Sequence, residues 1–262
     1  MDELGDDLLL LAMSSDGTLI ISAKLRFGLA GSELVRLAAV GRVDIVRGRI
    51  ELRDSAPTGD PLLDEALASM ADGRRRPTAK AWVARNRPGL VARYLARAEL
   101  NGVIQAHKRK ALGFIPVTRW RVLDVARAAQ ARARLEAAAA SSGPLESEQA
   151  ALAGLASAID VTRFVFPGRP GAAARKRLRD AAKRDRTAAD ASAAVVGAAD
   201  AQHAATTAAT AAATAAATDA AVRAAADAAV SAAVDAATQA AVSAATEAAH
   251  AASHSGTAGG HH

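Results

Sequence analysis

Cysteine is absent from the 262 residues, which excludes disulfides and thiolate metal sites. The six histidines (His107, His203, His250, His254, His261, His262) are scattered without ligand spacing, so no metal site is expected. Aromatic residues are equally sparse: four Phe, two Trp and one Tyr. None interleaves with the basic runs, which removes the stacking platforms that single-stranded nucleic acid uses. No apolar run approaches the roughly 20 residues that span a bilayer. Asp2, Glu3, Asp6 and Asp7 put acid where a secretory signal carries positive charge, so the expectation is a cytoplasmic protein. From Asp190 onward Leu, Ile and aromatics disappear altogether. A core cannot be built from Ala, Thr and Ser alone. The expected organisation is therefore a domain over 1–189 and an Ala/Thr-rich low-complexity tail over 190–262, partly helical or disordered.

What the chain does have is positive charge. One arginine and six acids in the tail leave 32 basic against 21 acidic residues before it, a net +11 where the whole chain carries +6. Summed positive potential of that size draws anionic surfaces and polymers, so membrane and nucleic acid both qualify as partners. The basic residues cluster at Arg74-Arg-Arg76, at His107-Lys-Arg-Lys110 and along Arg175 to Arg186.

The local signals describe a mainly α domain with a helical core and small β-hairpins. Asp2 or Asp6 is a candidate cap for a helix carrying Leu8 to Met13, followed by a turn at Ser14 to Gly17 and a short strand at Thr18 to Ile21. Ser32 reads as the cap of a helix over Glu33 to Val40, ended by Gly41. Val43 to Val46 and Arg49 to Leu52 alternate around Arg47-Gly48 as a hairpin. After the turn Pro57-Thr58-Gly59, Asp60 is an N-cap and Pro61 takes the first helical position, where its missing N–H costs nothing. Asp64 and Glu65 sit near the positive helix end, with Leu62, Leu63 and Leu67 facing the core. Thr78 caps the Trp82 helix, and Pro88-Gly89 opens another that runs through Leu100. Val103-Ile104 and Leu112 to Val117 form a second strand pair around the basic connection His107 to Lys110. Helices over Val122 to Ala140, Ser147 to Phe166 and Ala172 to Arg186 complete the domain.

Enzyme motifs do not assemble. Gly28-Leu-Ala-Gly31-Ser32 ahead of a helix lacks the spacing and the Lys-Ser/Thr of a nucleotide-binding loop. Asp64 and Glu65 are adjacent on a helix and point apart. No cofactor is implied, and the chain reads as a binding protein.

The stretch Ala56-Pro-Thr-Gly-Asp60 followed by Leu62-Leu-Asp-Glu-Ala-Leu67 resembles the Golgi phosphoprotein 3 family closely. Leu8 to Leu11, Asp16-Gly17, Gly28-Leu29, Glu33-Leu34, Gly41-Arg42 and Gly102-Val103 extend the likeness over about residues 2 to 168. The resemblance implies a mostly helical peripheral membrane adaptor that binds phosphatidylinositol 4-phosphate. Eukaryotic members gather at the Golgi, hold cytosolic tails of glycosyltransferases and self-associate through the second hairpin, here Val103 to Val117. Their headgroup pocket uses a Trp, an Arg directly after the Gly-Leu pair, and two Arg three apart on the helix before that hairpin. Those positions fall here at Ile21, Ala30, Pro88 and Val91, so no pocket residue carries over. Arg26, Arg87, Arg93 and Arg97 lie near these places and are the candidate headgroup-binding residues, since a guanidinium fork grips phosphate bidentately. The expected partners are anionic phospholipid or a membrane surface, protein tails, and a second copy through the hairpin. The competing reading is a winged-helix DNA-binding protein with Arg93, Arg97 and Asn101 on its recognition helix.

Overall fold

Few bulky residues and many leucines leave one way to fill a core, which is to interleave amphipathic helices. The computed structural model describes residues 3–14, 19, 22–71, 77–85, 89–111 and 115–255. It divides the chain into two compact units, Met1–His203 and Ala204–His262.

In the first unit, α1 (Leu4–Leu11) buries Leu4, Leu8 and Leu9 completely against α2 (Ser22–Ala39), α6 (Val125–Ala140) and α7 (Ser147–Ala158). Helix α1 begins at Leu4, so Asp6 and Asp7 lie inside its first turn and do not cap it. Gly5 is where this helix meets Tyr94. A Cβ there would stand 2.4 Å from the Tyr94 ring, which is fully buried and has nowhere to go. Gly5→Ala is therefore expected to lower stability by about 1–2 kcal/mol in chemical denaturation, the clash outweighing the helix propensity that alanine adds.

Helix α2 is longer than its sequence signals suggest. Ser32 does not cap a new helix; it sits in mid-helix, fully buried, with its hydroxyl donating to the Leu29 carbonyl at 2.8 Å. Gly28 and Gly31 lie within the helix as well. They leave room for Ile159, Leu155 and Val195, whose side-chain carbons would be 2.7–2.9 Å from an added Cβ. What reads as a loop motif is thus a close-packing stripe.

The first hairpin matches its sequence pattern. Strands β1 (Val43–Val46) and β2 (Arg49–Leu52) pair antiparallel with Val46 opposite Arg49, and both Arg47 and Gly48 have positive φ, as a two-residue primed turn requires. Helix α3 (Pro61–Ala71) follows, burying Leu62, Leu63 and Leu67, and α4 (Ala79–Ala84) is capped by the Thr78 hydroxyl accepting from the Ala81 N–H at 3.1 Å. Trp82 on α4 is fully buried and donates to the Ser69 hydroxyl on α3 at 3.2 Å. Helix α5 (Leu90–Leu100) starts at a left-handed Gly89 and ends at Asn101-Gly102.

In the second hairpin, β3 (Ile104–Ala111) pairs with β4 (Ile115–Val122), His107 opposite Arg119 and Ile104 opposite Val122. The run His107 to Lys110 is therefore strand and not the connection between strands. A strand this rich in charge has no apolar alternation to announce it, which is why the run reads as a connection in the sequence. Among the hairpin side chains described, Ile104 at the base is the buried one.

The remaining helices break where a polar residue takes over. Asp124 caps α6, accepting from the Arg127 N–H at 2.8 Å. Asp160, at φ +65, separates α7 from the short α8 (Thr162–Val165), where the sequence suggests one helix. Helix α9 (Ala172–Ala182) stops short of Arg186 because Asp185 caps α10 (Arg186–Ser255), accepting from the Ala188 N–H at 2.8 Å. Ala191, Ala194, Val195 and Ala198 of α10 are buried, so the first unit extends past residue 189 to His203. Close approach is possible there because Val195 meets Gly31 of α2, and Ser192 meets Gly154 of α7.

Of the second unit, residues 204–255 are helical, and every side chain described there is exposed. Its threonines turn back on their own helix, Thr210, Thr214 and Thr218 each donating to the carbonyl four residues earlier at 2.9 Å. The strand expected at Thr18 to Ile21 falls mostly outside the described residues; Leu19 forms a lone bridge with Met13.

Candidate functional site

The residues Asp54 to Leu67 form a turn that serves both its own helix and distant charges. Asp60 Oδ1 accepts from the Leu62 N–H at 2.9 Å, and Asp64 Oδ1 accepts from the Thr58 N–H at 2.6 Å and its hydroxyl at 2.7 Å. Asp60 Oδ2 also receives Arg36 at 2.7 Å and Arg97 at 3.1 Å, while Arg97 reaches Asp6 at 2.8 Å. The Arg36 side chain is only 3% exposed. Burial by itself would raise the Asp60 carboxyl. The Arg36 hydrogen bond, the Leu62 amide and the two guanidinium charges outweigh it and hold the group below its ordinary value. Asp64 is likewise lowered by the Thr58 hydroxyl and amide.

These acids determine what the candidate arginines are doing. Arg97 lies over the Tyr94 ring at 4.7 Å and is held by Asp6 and Asp60; Arg93, one turn earlier on α5, pairs with Glu65 of α3. Arg26 lies over Phe27 at 4.5 Å and donates to Gln202 of α10. Arg93 and Arg97 thus share the α3 side of α5, whereas Arg26 faces α10. Arg87 lies outside the described residues. The same pairings bear on the DNA reading, since the helix before the hairpin has both of its base-reading arginines tied to acids.

Exposed positive charge is found elsewhere. The alternation of the second hairpin puts His107, Arg119 and Arg121 on one face and Lys108 on the other, all exposed. At the base of that hairpin, where the Leu123 N–H donates to the Val103 carbonyl at 2.8 Å, large apolar side chains face solvent: Leu100 at 87%, Val125 at 68% and Leu123 at 46% exposed. In α9, Lys176 pairs with Asp180 at 2.8 Å and Arg177 donates to the Ala139 carbonyl at 2.8 Å. Arg74 to Arg76 lie outside the described residues.

A family model described as Golgi phosphoprotein 3 (GPP34) matches residues 4–256. The chain belongs to the Golgi phosphoprotein 3 family. No curated protein matches it.

Within this Golgi phosphoprotein 3 fold, the positions where the resemblance would place a headgroup pocket are apolar where they are described. Ala30 is buried in α2 and Val91 is half-buried on α5, while Ile21 and Pro88 lie outside the described residues. The exposed apolar residues at the hairpin base had no signal in the sequence beyond their place beside Gly102 and Asp124. No helix among the described residues is long and apolar enough to cross a membrane.

Proposed function

We propose that this member of the Golgi phosphoprotein 3 family is a non-catalytic adaptor on the cytosolic face of a membrane, held there by attraction to anionic lipid headgroups. The observation that carries the reading is the family match over residues 4–256. The net +11 ahead of the tail supports it, as does the second hairpin, whose cations flank exposed Leu100, Leu123 and Val125. Basic side chains supply long-range attraction to an anionic surface, and apolar side chains beside them gain from entering the interface. Binding of a phosphatidylinositol 4-phosphate headgroup by Arg26, Arg87, Arg93 and Arg97 is the finer form of this reading. It requires that Arg93 and Arg97 exchange Glu65, Asp6 and Asp60 for phosphate.

Flotation with vesicles tests both forms. The chain is expected to float with vesicles containing phosphatidylserine and not with neutral phosphatidylcholine, with binding falling as salt rises. Lys108→Ala with Arg121→Ala should lower vesicle binding by roughly tenfold or more, at about 1 kcal/mol for each charge near the surface. A further gain on adding phosphatidylinositol 4-phosphate, lost in Arg97→Ala, would support the finer form. Equal behaviour on neutral and anionic vesicles would refute the membrane reading.

A further inference from the structure

Beyond the end of α7 the chain folds around an open cavity of about 550 Å³, walled by Arg163, Arg169, Arg175 and Arg179 together with Ser157 and Asp160. Four guanidinium groups around one small cavity repel each other unless anions offset them. Asp160 offsets Arg163 alone, at 3.2 Å, because its other oxygen is taken by Lys24 at 2.5 Å. Asp180, the acid nearest Arg179 in the chain, is taken by Lys176 at 2.8 Å. Arg169 and Arg179 form no ion pair among the described residues.

Two further features belong to the same wall. Ser157 lines the cavity, while its hydroxyl is closed off from solvent and has no hydrogen-bond partner among the described residues. Arg175 is already fixed, one end of its fork donating to the Phe166 and Gly168 carbonyls, the latter at 3.1 Å. The turn that supplies those carbonyls is tightly closed: Gly168 has φ +65, and a Cβ at Gly171 would come within 2.2 Å of the Phe166 oxygen.

We propose that this cleft binds the phosphate of a phosphomonoester, with Arg169, Arg175 and Arg179 donating to its oxygens. Planar forks from several directions suit a compact dianion with three free oxygens better than a carboxylate. The cavity has the size of a small-molecule site, and none of its walls is aromatic, so nothing there would stack a nucleobase. A phosphorylated lipid headgroup and a soluble phosphate ester share this chemistry. The site uses none of the residues in the hairpin surface and does not depend on the adaptor reading.

Calorimetric titration of the full chain with inorganic phosphate in chloride buffer is expected to show saturable binding. Arg169→Ala with Arg179→Ala should weaken it about tenfold or more. Arg169 and Arg179 are exposed, so the double variant is expected to unfold at the same temperature as the parent. Lys108→Ala with Arg121→Ala should leave phosphate binding unchanged, which separates this site from the hairpin surface. Absence of saturable binding, or equal weakening by the hairpin variant, would overturn the proposal. Vesicles of phosphatidic acid and of phosphatidylglycerol then identify the source. Loss of the cleft variant from the monoester lipid alone assigns a lipid headgroup, and unchanged retention on both assigns a soluble ester. Equal loss on both reduces the cleft to unspecific attraction and overturns the proposal too.

Discussion

Asp60→Ala is expected to destabilise the protein by on the order of 3 to 5 kcal/mol, because it breaks a largely buried ion pair and a helix cap at once. The alanine removes the acceptor for the Leu62 amide and takes a carboxylate from Arg36, which is 3% exposed, and from Arg97. Asp60→Asn separates the two effects. Its amide oxygen still caps α3 while the charge is gone, so its cost should fall between those of the parent and the alanine variant. Urea unfolding monitored by tryptophan fluorescence gives both values. The pH dependence has a definite sign as well. The folded-state pKa of Asp60 lies below its ordinary value near 3.8, so the stability it contributes is complete above that value and is lost as pH falls through the folded-state pKa. Acidification below about pH 4 should therefore weaken the parent more steeply than Asp60→Asn.

Shortening the chain from its C-terminus is expected to have a sharply position-dependent effect. A chain ending at residue 203 should unfold within about 0.5 kcal/mol of the parent, since every side chain described beyond that point is exposed. Ending it at residue 189 removes Ala191, Ala194, Val195 and Ala198 from the core and should cost on the order of 4 kcal/mol. It also uncovers Gly31, against which Val195 rests. Denaturant midpoints of the two truncations decide the matter. Similar midpoints would mean that the start of α10 adds nothing to the core.

The contrast between those two truncations shows where sequence signals are strong. Asp60, Pro61, Thr78 and Arg47-Gly48 act through neighbours a few residues away, and each was legible as cap, first helical residue or turn. Local chemistry of this kind repeats wherever the same residues recur. The partners of Asp60 were not legible, because Arg36 and Arg97 stand 24 and 37 residues away and nothing in either position marks the pairing. Gly28 and Gly31 look like a loop before a helix. Only the approach of Ile159 and Leu155 explains their place within one. Ala191 to Ala198 were unreadable as core for the complementary reason: an alanine is buried only if its neighbour has made room. The candidate arginines fared in the same way. Arg93 and Arg97 are arginines near the expected place, but acids from α1 and α3 hold them. Of the cleft arginines, Arg163 and Arg169 come from a segment with no basic run, so only folding brings them beside Arg175 and Arg179.

The threonine-rich helix after His203 has a consequence for how unfolding would be observed. A helix whose described side chains are all exposed depends on propagation along itself, so it loosens gradually with temperature. The leucine core melts as a unit. Ellipticity at the helical band would therefore sum a sloping, non-cooperative loss and a sigmoidal one, and its two-state analysis would understate the enthalpy of the core.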